Sequence, residues 1–535
     1  MDKTETARVL FSVDWTQVTL GVEFGSTRVK AVAVDPEGAI VAVGGYTWEN
    51  QLVNGVWTYA LDEILHALQA AYAALAGDVK KRYGAAPSTF AAIGISGMMH
   101  GFLALDADDT LLTPFQTWRN SNTEEAADQL TEALHFAMPL RWTGSHLFQR
   151  VLDGAEYVKD LAFVTTLSSY IHYRLTGEKV VGAGEASGIF PLAADGGDYD
   201  ADRLATFDAL LASYDVPWTA RELFPVVHRA GEEAGRLTAE GALLLDPSGA
   251  LHEGIPFCPP EGDAGTGMVA TNAVKPGTGN CSAGTSAFAM LVLERPLAHV
   301  MREIDLVATP EGLPVAMAHA NNGTTDINHW AALFSDFARR IHADVDMDQV
   351  FETLFEAAGE GDRDAGGLLS YGYYSGEGIT HVNEGRPLFA QEENARFTLA
   401  NVFRAHLYSV LACVKMGLDQ LKESEGIAIQ SMLGHGGLFR TKGVAQQALA
   451  DAIEAPVTVL AHATEGGAWG SALLARYMLE RAHYADLGDF LAHVFEHLEA
   501  DTLEPQADGI AGWKAYMERY EKGLRIEEEA IAALD

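Results

Sequence analysis

Residues 18–34 read VTLGVEFGSTRVKAVAV. Two apolar runs flank the short stretch Gly25-Ser26-Thr27, so the segment predicts strand, tight turn, strand. Gly38, after Asp35-Pro36-Glu37, turns the chain into a third strand, IVAVGG over 40–45. Apolar residues at helical spacing from Leu61 to Val79 predict a helix, and FAAIGISG over 90–97 predicts a short buried strand ending on glycine. Strands and helices go on mixing to about residue 270, the pattern of an α/β protein.

The stretch 275–292, KPGTGNCSAGTSAFAMLV, repeats the opening pattern with a glycine-rich entry, a small-residue turn and an apolar strand. Its later half, CSAGTSAFAML, is a counterpart of VEFGSTRVKAV, which suggests an internal duplication with one copy opening each of two domains. Glycine hairpins are common, and the repeat alone is a weak hint. A chain of 535 residues is too long for one compact core, so two domains are expected on length as well. Further on, Phe397 to Leu421 predicts a long interior helix. MLGHGGLFRTKGVAQQALADAI predicts a strand end, a glycine turn and a second helix. ATEGGAWGSALLARYML is a further turn into a helix, with Gly470, Ser471 and Ala472 permitting close packing. The last stretch of the chain predicts acidic helices at the periphery.

Composition excludes several classes. Seventy-four acidic residues against 36 basic ones leave a net charge of -38, a field that repels nucleic acid and anionic membrane. Bound phosphate then needs local help from backbone N–H groups, a few cations or Mg²⁺. Cys258, Cys281 and Cys413 show no paired spacing, which argues against a disulfide framework or zinc site and for a reducing cytoplasm. The N-terminal stretch carries an acidic residue at position 2 and no long apolar run, so no leader segment is expected. No apolar run reaches the length of a membrane span.

The common nucleotide motifs are missing. GGLFRTKG holds a lysine without the Walker glycine spacing, and Gly277-Thr278-Gly279 lacks a third glycine and precedes a hairpin. Neither HExxH nor GxSxG occurs. Glycine hairpins offer another route, because successive N–H groups in a tight turn make an anion-binding concavity that a missing Cβ leaves open. Gly25, Ser26 and Thr27, with Arg28 and Lys30 near them, suit that role, as do Gly284, Thr285 and Ser286. Taken singly, each hairpin is more simply a structural turn.

Four segments in order resemble the FGGY carbohydrate kinases of the sugar kinase/actin/heat-shock ATPase superfamily. GVEFGSTRVKAVAVDPEG is similar to the first phosphate segment. GISGMMHGFLALD with PFQTWRNSN is similar to the sugar segments of xylulokinases. EGDAGTGMVATNAVKPGTGNCSAGTSAF resembles the run joining the catalytic aspartate to the second phosphate hairpin, and GHGGLFRTKGVAQQALADAIEAPV resembles the adenosine segment. The resemblance implies two actin-like (ribonuclease H-like) domains with a central cleft whose closure excludes water. Residues 1–270 would form the sugar-binding domain, and 271–535 the nucleotide-binding domain with a helical tail.

The same resemblance implies site residues. Asp263 would be the catalytic base. Met99, His100, Trp118, Arg119 and Asn120 would line the sugar, with Glu185-Ala186-Ser187-Gly188 bordering it. Gly25, Ser26, Thr27 and Arg28 would hold phosphate, as would Gly284, Thr285 and Ser286. Gly436 and Gly437 would admit adenosine, bordered by Lys442. Glu23 stands where the family has aspartate and would reach Mg²⁺ through water. Asn120 also replaces a usual aspartate, which bears on the sugar. The implied protein is a cytoplasmic Mg²⁺- and ATP-dependent pentulose kinase, with D-xylulose ahead of L-ribulose and a polyol or sugar-acid kinase as the milder alternative. A catalytically silent sensor on the same fold is the rival from another class. The expected partners are the small-molecule sugar and ATP, with a second copy of the chain as a further candidate.

Overall fold

The computed structural model describes residues 13–461 and 465–534. Most of the N-terminal stretch that argues against a leader, and Ala463 and Thr464 of the last glycine turn, lie outside them. The chain divides into two compact units, the first made of residues 1–274, 307–314 and 463–497, the second of 275–306, 315–462 and 498–535. A single cut at 270/271 falls close to where the chain first passes from one unit to the other. Residues 463–497, read from sequence as part of the second domain, nevertheless belong to the first unit.

In unit 1, β1 (Thr19–Phe24), β2 (Arg28–Val34) and β3 (Ile40–Thr47) form an antiparallel meander. β4 (Ala92–Gly97) lies parallel beside β1, and the short β5 (Glu261–Gly262) parallel beside β4, so the sheet order is β5-β4-β1-β2-β3. Leu20, Val22, Phe24, Ile93 and Ile95 share one core with Ile64, Leu68, Ala71 and Leu75 of α1 (Leu61–Tyr83), the apolar stripe of an amphipathic helix. In the middle of the unit lies the short helix α2 (Ala183–Ala186), which follows a strand over Val180–Gly182. Gly21 and Gly94 alternate with the core positions and face the other way. There α3 (Asp263–Val269) and α7 (Gly467–Glu480) pack very closely: a Cβ at Gly21 would sit 1.9 Å from the Ala468 oxygen, one at Gly94 2.2 Å from that of Ser471, and one at Gly470 2.1 Å from that of Thr266. The small residues of both helix and strands are thus what brings α7 onto this sheet. α8 (Leu487–Phe495) closes the unit.

In unit 2, β6 (Thr278–Ala283) and β7 (Ala287–Val292) pair antiparallel around Gly284-Thr285-Ser286. Their sheet includes β8 (Ile304–Ala308), β9 (Pro314–Ala320), β10 (Ser431–His435), β11 (Val457–Leu460) and β12 (Ala500–Leu503), in the order β8-β9-β7-β6-β10-β11-β12. α5 (Leu399–Glu425), capped by the Thr398 side chain, buries Phe403, Leu407, Leu411, Val414 and Leu418. α4 (Thr325–Arg340) comes earlier in the chain and α6 (Val444–Ile453) is the next α-helix after it. The C-terminal α9 (Ala507–Leu534) is acidic but not peripheral. Trp513 and Tyr520 are buried, the first stacked on Tyr408 at 3.9 Å and the second on Tyr371 at 4.7 Å. With Tyr516 between them, their spacing puts three aromatics on one helix face, enough to make that face core.

Candidate functional site

The turn between β1 and β2 is closed by the Gly25 amide donating to the Arg28 carbonyl at 3.1 Å. Its carbonyls are held from outside: Gly25 O accepts from Trp48 Nε1 at 2.7 Å, Ser26 O from the Tyr59 hydroxyl at 2.5 Å, and Thr27 O from the Trp48 amide at 3.1 Å. Among the described residues, no acceptor bonds the Ser26 or Thr27 amide. Those two N–H groups are therefore available to an anion. Trp118 is 41% exposed and donates from its indole to Ser26 Oγ at 3.2 Å. Arg28 runs back over β3, where a Cβ at Gly45 would lie 2.7 Å from its Nε.

Four carboxyl groups gather at the strand ends beside this turn. Asp263 opens α3, accepts the Met99 amide at 3.1 Å, and keeps solvent exposure in the midst of dense protein. That surrounding protein raises its pKa, partly offset by amides of Met99, Ala264 and its own residue. Glu23 lies on β1 across from Lys30, 3.7 Å from its ammonium, while the Gly467 and Ala468 amides at the start of α7 also favour its charge. Burial nonetheless raises the Glu23 pKa, and Asp263 adds to the rise. Glu23 Oε2 is buried without a hydrogen-bond partner. Glu185 in α2 is fully buried; desolvation drives its pKa well up, and the charges of Asp263 and Glu261 act the same way. Glu261 accepts the Gly184 and Glu185 amides at 3.2 and 2.9 Å, yet burial pushes it up to about 8. Glu261 carries no motif reading in the sequence. The available signal is a second carboxylate two places before Asp263, directly after the apolar run Pro256-Phe257-Cys258-Pro259-Pro260.

The expected sugar segment leaves β4 and turns through two left-handed residues, His100 (φ 70°) and Gly101 (φ 92°). A Cβ at Gly101 would meet the Gln116 carbonyl at 2.5 Å, so glycine is required by space as well as by conformation. Met99 and His100 are buried, and the His100 ring stacks on Trp142 at 6.2 Å. Gly188 makes room for that ring, since a Cβ there would lie 2.6 Å from His100 Nδ1. Arg119 is placed over the Trp57 ring at 3.7 Å. Asn120 is buried with its amide engaged by backbone: Oδ1 accepts the Trp57 N–H at 3.0 Å, and Nδ2 donates to the carbonyls of Trp57 and Thr117 at 2.8 and 3.0 Å. It braces the strand that carries Trp57. Aspartate could not donate to those two carbonyls, which is a physical reason for asparagine here.

In unit 2, the Gly284 amide donates to Ser286 O at 2.9 Å. The carbonyls of Gly284 and Thr285 accept the amides of Thr324 and Gly323 at 2.8 and 2.9 Å, just ahead of α4. Gly323 must be glycine, because a Cβ there would lie 2.3 Å from the Gly284 oxygen; this support was not legible as a motif. β10 ends in His435, and Gly436 follows at φ 95° with its α-carbon against the Ala283 carbonyl. At Gly284 and Gly437, by contrast, a Cβ would meet nothing within 4 Å, and neither has a positive φ. The folded chain itself gives no reason for glycine at these two positions. Lys442 is well exposed and pairs with Asp501 at 3.5 Å.

Comparison with known proteins agrees with this architecture. Residues 18–270 match the N-terminal domain, and residues 279–479 the C-terminal domain, of the FGGY family of carbohydrate kinases. The xylulose kinase of Haemophilus influenzae is 22% identical over 519 residues, covering 94% of this chain and 98% of that protein. The glycerol kinase of Rhodopirellula baltica is 23% identical over 570 residues, covering 99% and 97%. Among solved structures, the ligand-bound xylulose kinase of Lactobacillus acidophilus superposes with a TM-score of 0.77 at 19% identity, covering 96% of this chain and 98% of that one. The chain belongs to the FGGY family of carbohydrate kinases and is an ATP-dependent phosphotransferase with an alcohol group as acceptor.

Proposed function

We propose that the acceptor is a pentulose, D-xylulose first, and that Asp263 is the base. The observation that carries this reading is the 3.1 Å bond from the Met99 amide to Asp263. It ties the carboxylate to the Met-His-Gly segment that reads like the xylulokinase form. Relatives named xylulose kinase support the same choice, while a glycerol kinase and a gluconokinase at similar identity show how widely acceptors vary on this framework. The case for L-ribulose leans on the Trp118-Arg119-Asn120 run and on Asn120 in place of aspartate, and the Asn120 amide is engaged with Trp57 and Thr117.

In the proposed reaction the sugar hydroxyl gives its proton to the Asp263 carboxylate as its oxygen bonds to the γ-phosphorus and the bond to the ADP oxygen breaks. A raised Asp263 pKa improves the base without demanding alkaline pH. Met99, His100, Trp118 and Arg119 place the sugar. Ser26 and Thr27 offer amides and hydroxyls to phosphate, and the turn at Gly284 presents Thr285 and Ser286 to it, with Arg28 a cation nearby. Gly437 leaves open backbone for adenosine after the turn at Gly436, and exposed Lys442 is the nearest lysine in sequence to that turn. Mg²⁺ fits Glu23, whose Oε2 is buried without a hydrogen-bond partner, and a bound Mg²⁺ would neutralise phosphate charge. Among the described residues no helix is long and apolar enough to cross a membrane. Cys258, Cys281 and Cys413 are free and buried, which supports a reducing cytoplasm as the compartment.

The test is ADP release over a panel of ketoses, polyols and sugar acids. D-Xylulose should give the highest kcat/KM. A higher value for glycerol, gluconate or L-ribulose would overturn the substrate assignment.

A further inference from the structure

Helix α8 (Leu487–Phe495) is capped at its start by the Asp486 side chain, which accepts the Asp489 amide at 2.7 Å. Leu487, Phe490, Leu491 and Val494 are buried and anchor one face. The opposite face runs past the end of the helix and presents His493, Glu496 and His497, all exposed. Their spacing is i, i+3 and i+4, so one turn of helix brings all three to one side. Their donor atoms lie within 4.8 Å of one another. The His493 and His497 rings are 5.9 Å apart, and His493 also packs on Tyr484 at 6.1 Å, which limits how far that ring can swing.

We propose that His493, Glu496 and His497 form a surface binding site for a divalent cation of the Zn²⁺ class. Exposed histidine and glutamate are ordinarily just solvated, and a pair of them would carry nothing. Here two imidazoles and a carboxylate converge, the donor set that suits zinc, with a fourth position left to water. Mg²⁺, which takes oxygen ligands and keeps its waters, is not suited by two imidazoles. The negative end of the helix dipole and the net charge of -38 both favour a cation at this place. His497 is also the last residue of unit 1 before the chain leaves it, so the bound ion would pin the final turn of α8 to that exit. None of the three residues belongs to the phosphotransfer machinery, and the ion's role is structural.

The experiment is calorimetric titration of ZnCl₂ into the full-length, tag-free, metal-stripped protein, repeated with His493→Ala, His497→Ala and Glu496→Gln. The wild type should take up one zinc that both histidine variants lose, and Glu496→Gln should bind it at least about tenfold more weakly, since loss of even an outer-shell partner costs about 10–100-fold. Affinity should drop as pH falls, because the ligands must give up their protons. Excess Mg²⁺ should leave the zinc isotherm unchanged, and phosphotransfer by the variants should match wild type in Mg²⁺·ATP. The proposal is overturned if the histidine variants bind as much zinc as the wild type, if the wild type binds none at micromolar zinc, or if Mg²⁺ competes.

Discussion

The two sheets share one plan. β5-β4-β1-β2-β3 in unit 1 and β11-β10-β6-β7-β9 in unit 2 have the same order, with three antiparallel strands, a fourth parallel to the first and a fifth parallel to the fourth. Each plan has three exits where function can sit: the first hairpin, the end of the fourth strand and the end of the fifth. At the hairpins both units hold a Gly-Ser/Thr turn with carbonyls tied from behind. After the fourth strand, both use left-handed residues, His100 and Gly101 in one, Gly436 in the other. The units part in their charge. Unit 1 has Glu23 where the register of unit 2 has Ser282, and Asp263 follows β5 where Ala461 follows β11. A repeated scaffold yields two similar turns. Among the described residues the strand-end positions that carry Glu23 and Asp263 in unit 1 carry Ser282 and Ala461 in unit 2, so it is unit 1 that has the carboxylates the proposed transfer uses.

Asp263→Ala breaks the contrast most directly. Removing a general base lowers rates by about 10²–10⁴-fold, so single-turnover transfer should fall by that range while sugar and ATP still bind. A variant within a few-fold of wild type would remove the distinction between the two units.

The next effect concerns the acid cluster. Below the unfolded pKa of Glu261, near 4.5, the folded and unfolded chains both hold its proton. Between that pH and about 8 the unfolded chain releases it and the folded chain retains it, so stability falls as pH rises. At about 1.4 kcal/mol per pKa unit, the loss on going from pH 5 to pH 8 amounts to a few kcal/mol. Glu261→Gln should flatten part of that slope in urea titrations. Glu185, Glu23 and Asp263, also raised, act in the same direction. An unchanged slope would show that Glu261 is charged in the folded protein.

In unit 2 the adjacent glycines separate structure from binding. Gly436→Ala forces alanine into a left-handed conformation, at about 1–3 kcal/mol, before its Cβ meets the Ala283 oxygen at 2.6 Å. Gly437→Ala finds open space, so it should melt like wild type and bind ATP and ADP more weakly. Equal nucleotide affinity in Gly437→Ala and wild type would remove Gly437 from the nucleotide site.

Much of this architecture was legible because strands, turns and close-packed glycines leave local marks. VEFGSTRVKAV and CSAGTSAFAML announce the two hairpins, and Gly470-Ser471-Ala472 announces a helix that must come close. What escaped reading is what depends on distant partners. No local pattern tells that α7 returns to the first unit, that Trp48 and Tyr59 hold the carbonyls of the first turn, or that Trp513, Tyr516 and Tyr520 make the last helix core. Glu261 escaped because its burial is decided by α2, far off in sequence. Asn120 was legible as a departure from a family pattern, but its meaning was not.

Asn120→Asp tests that meaning and should have the smallest effect of the set. If the side chain faced the sugar, aspartate would change the ratio of D-xylulose to L-ribulose efficiency. The hydrogen bonds place it instead between Trp57 and Thr117, where its amide donates twice and accepts once. A carboxylate keeps the bond from the Trp57 N–H, loses both donations and faces two carbonyl oxygens. Leaving such buried acceptors without donors costs about 1–3 kcal/mol, and one proton taken up by the new carboxyl would restore one donation. The variant should therefore be less stable at neutral pH and recover part of the difference as pH falls, with the sugar ratio unmoved. Denaturation at two pH values and kcat/KM for both sugars supply the comparison. A changed ratio at unchanged stability would put Asn120 back against the substrate and reopen the case for L-ribulose.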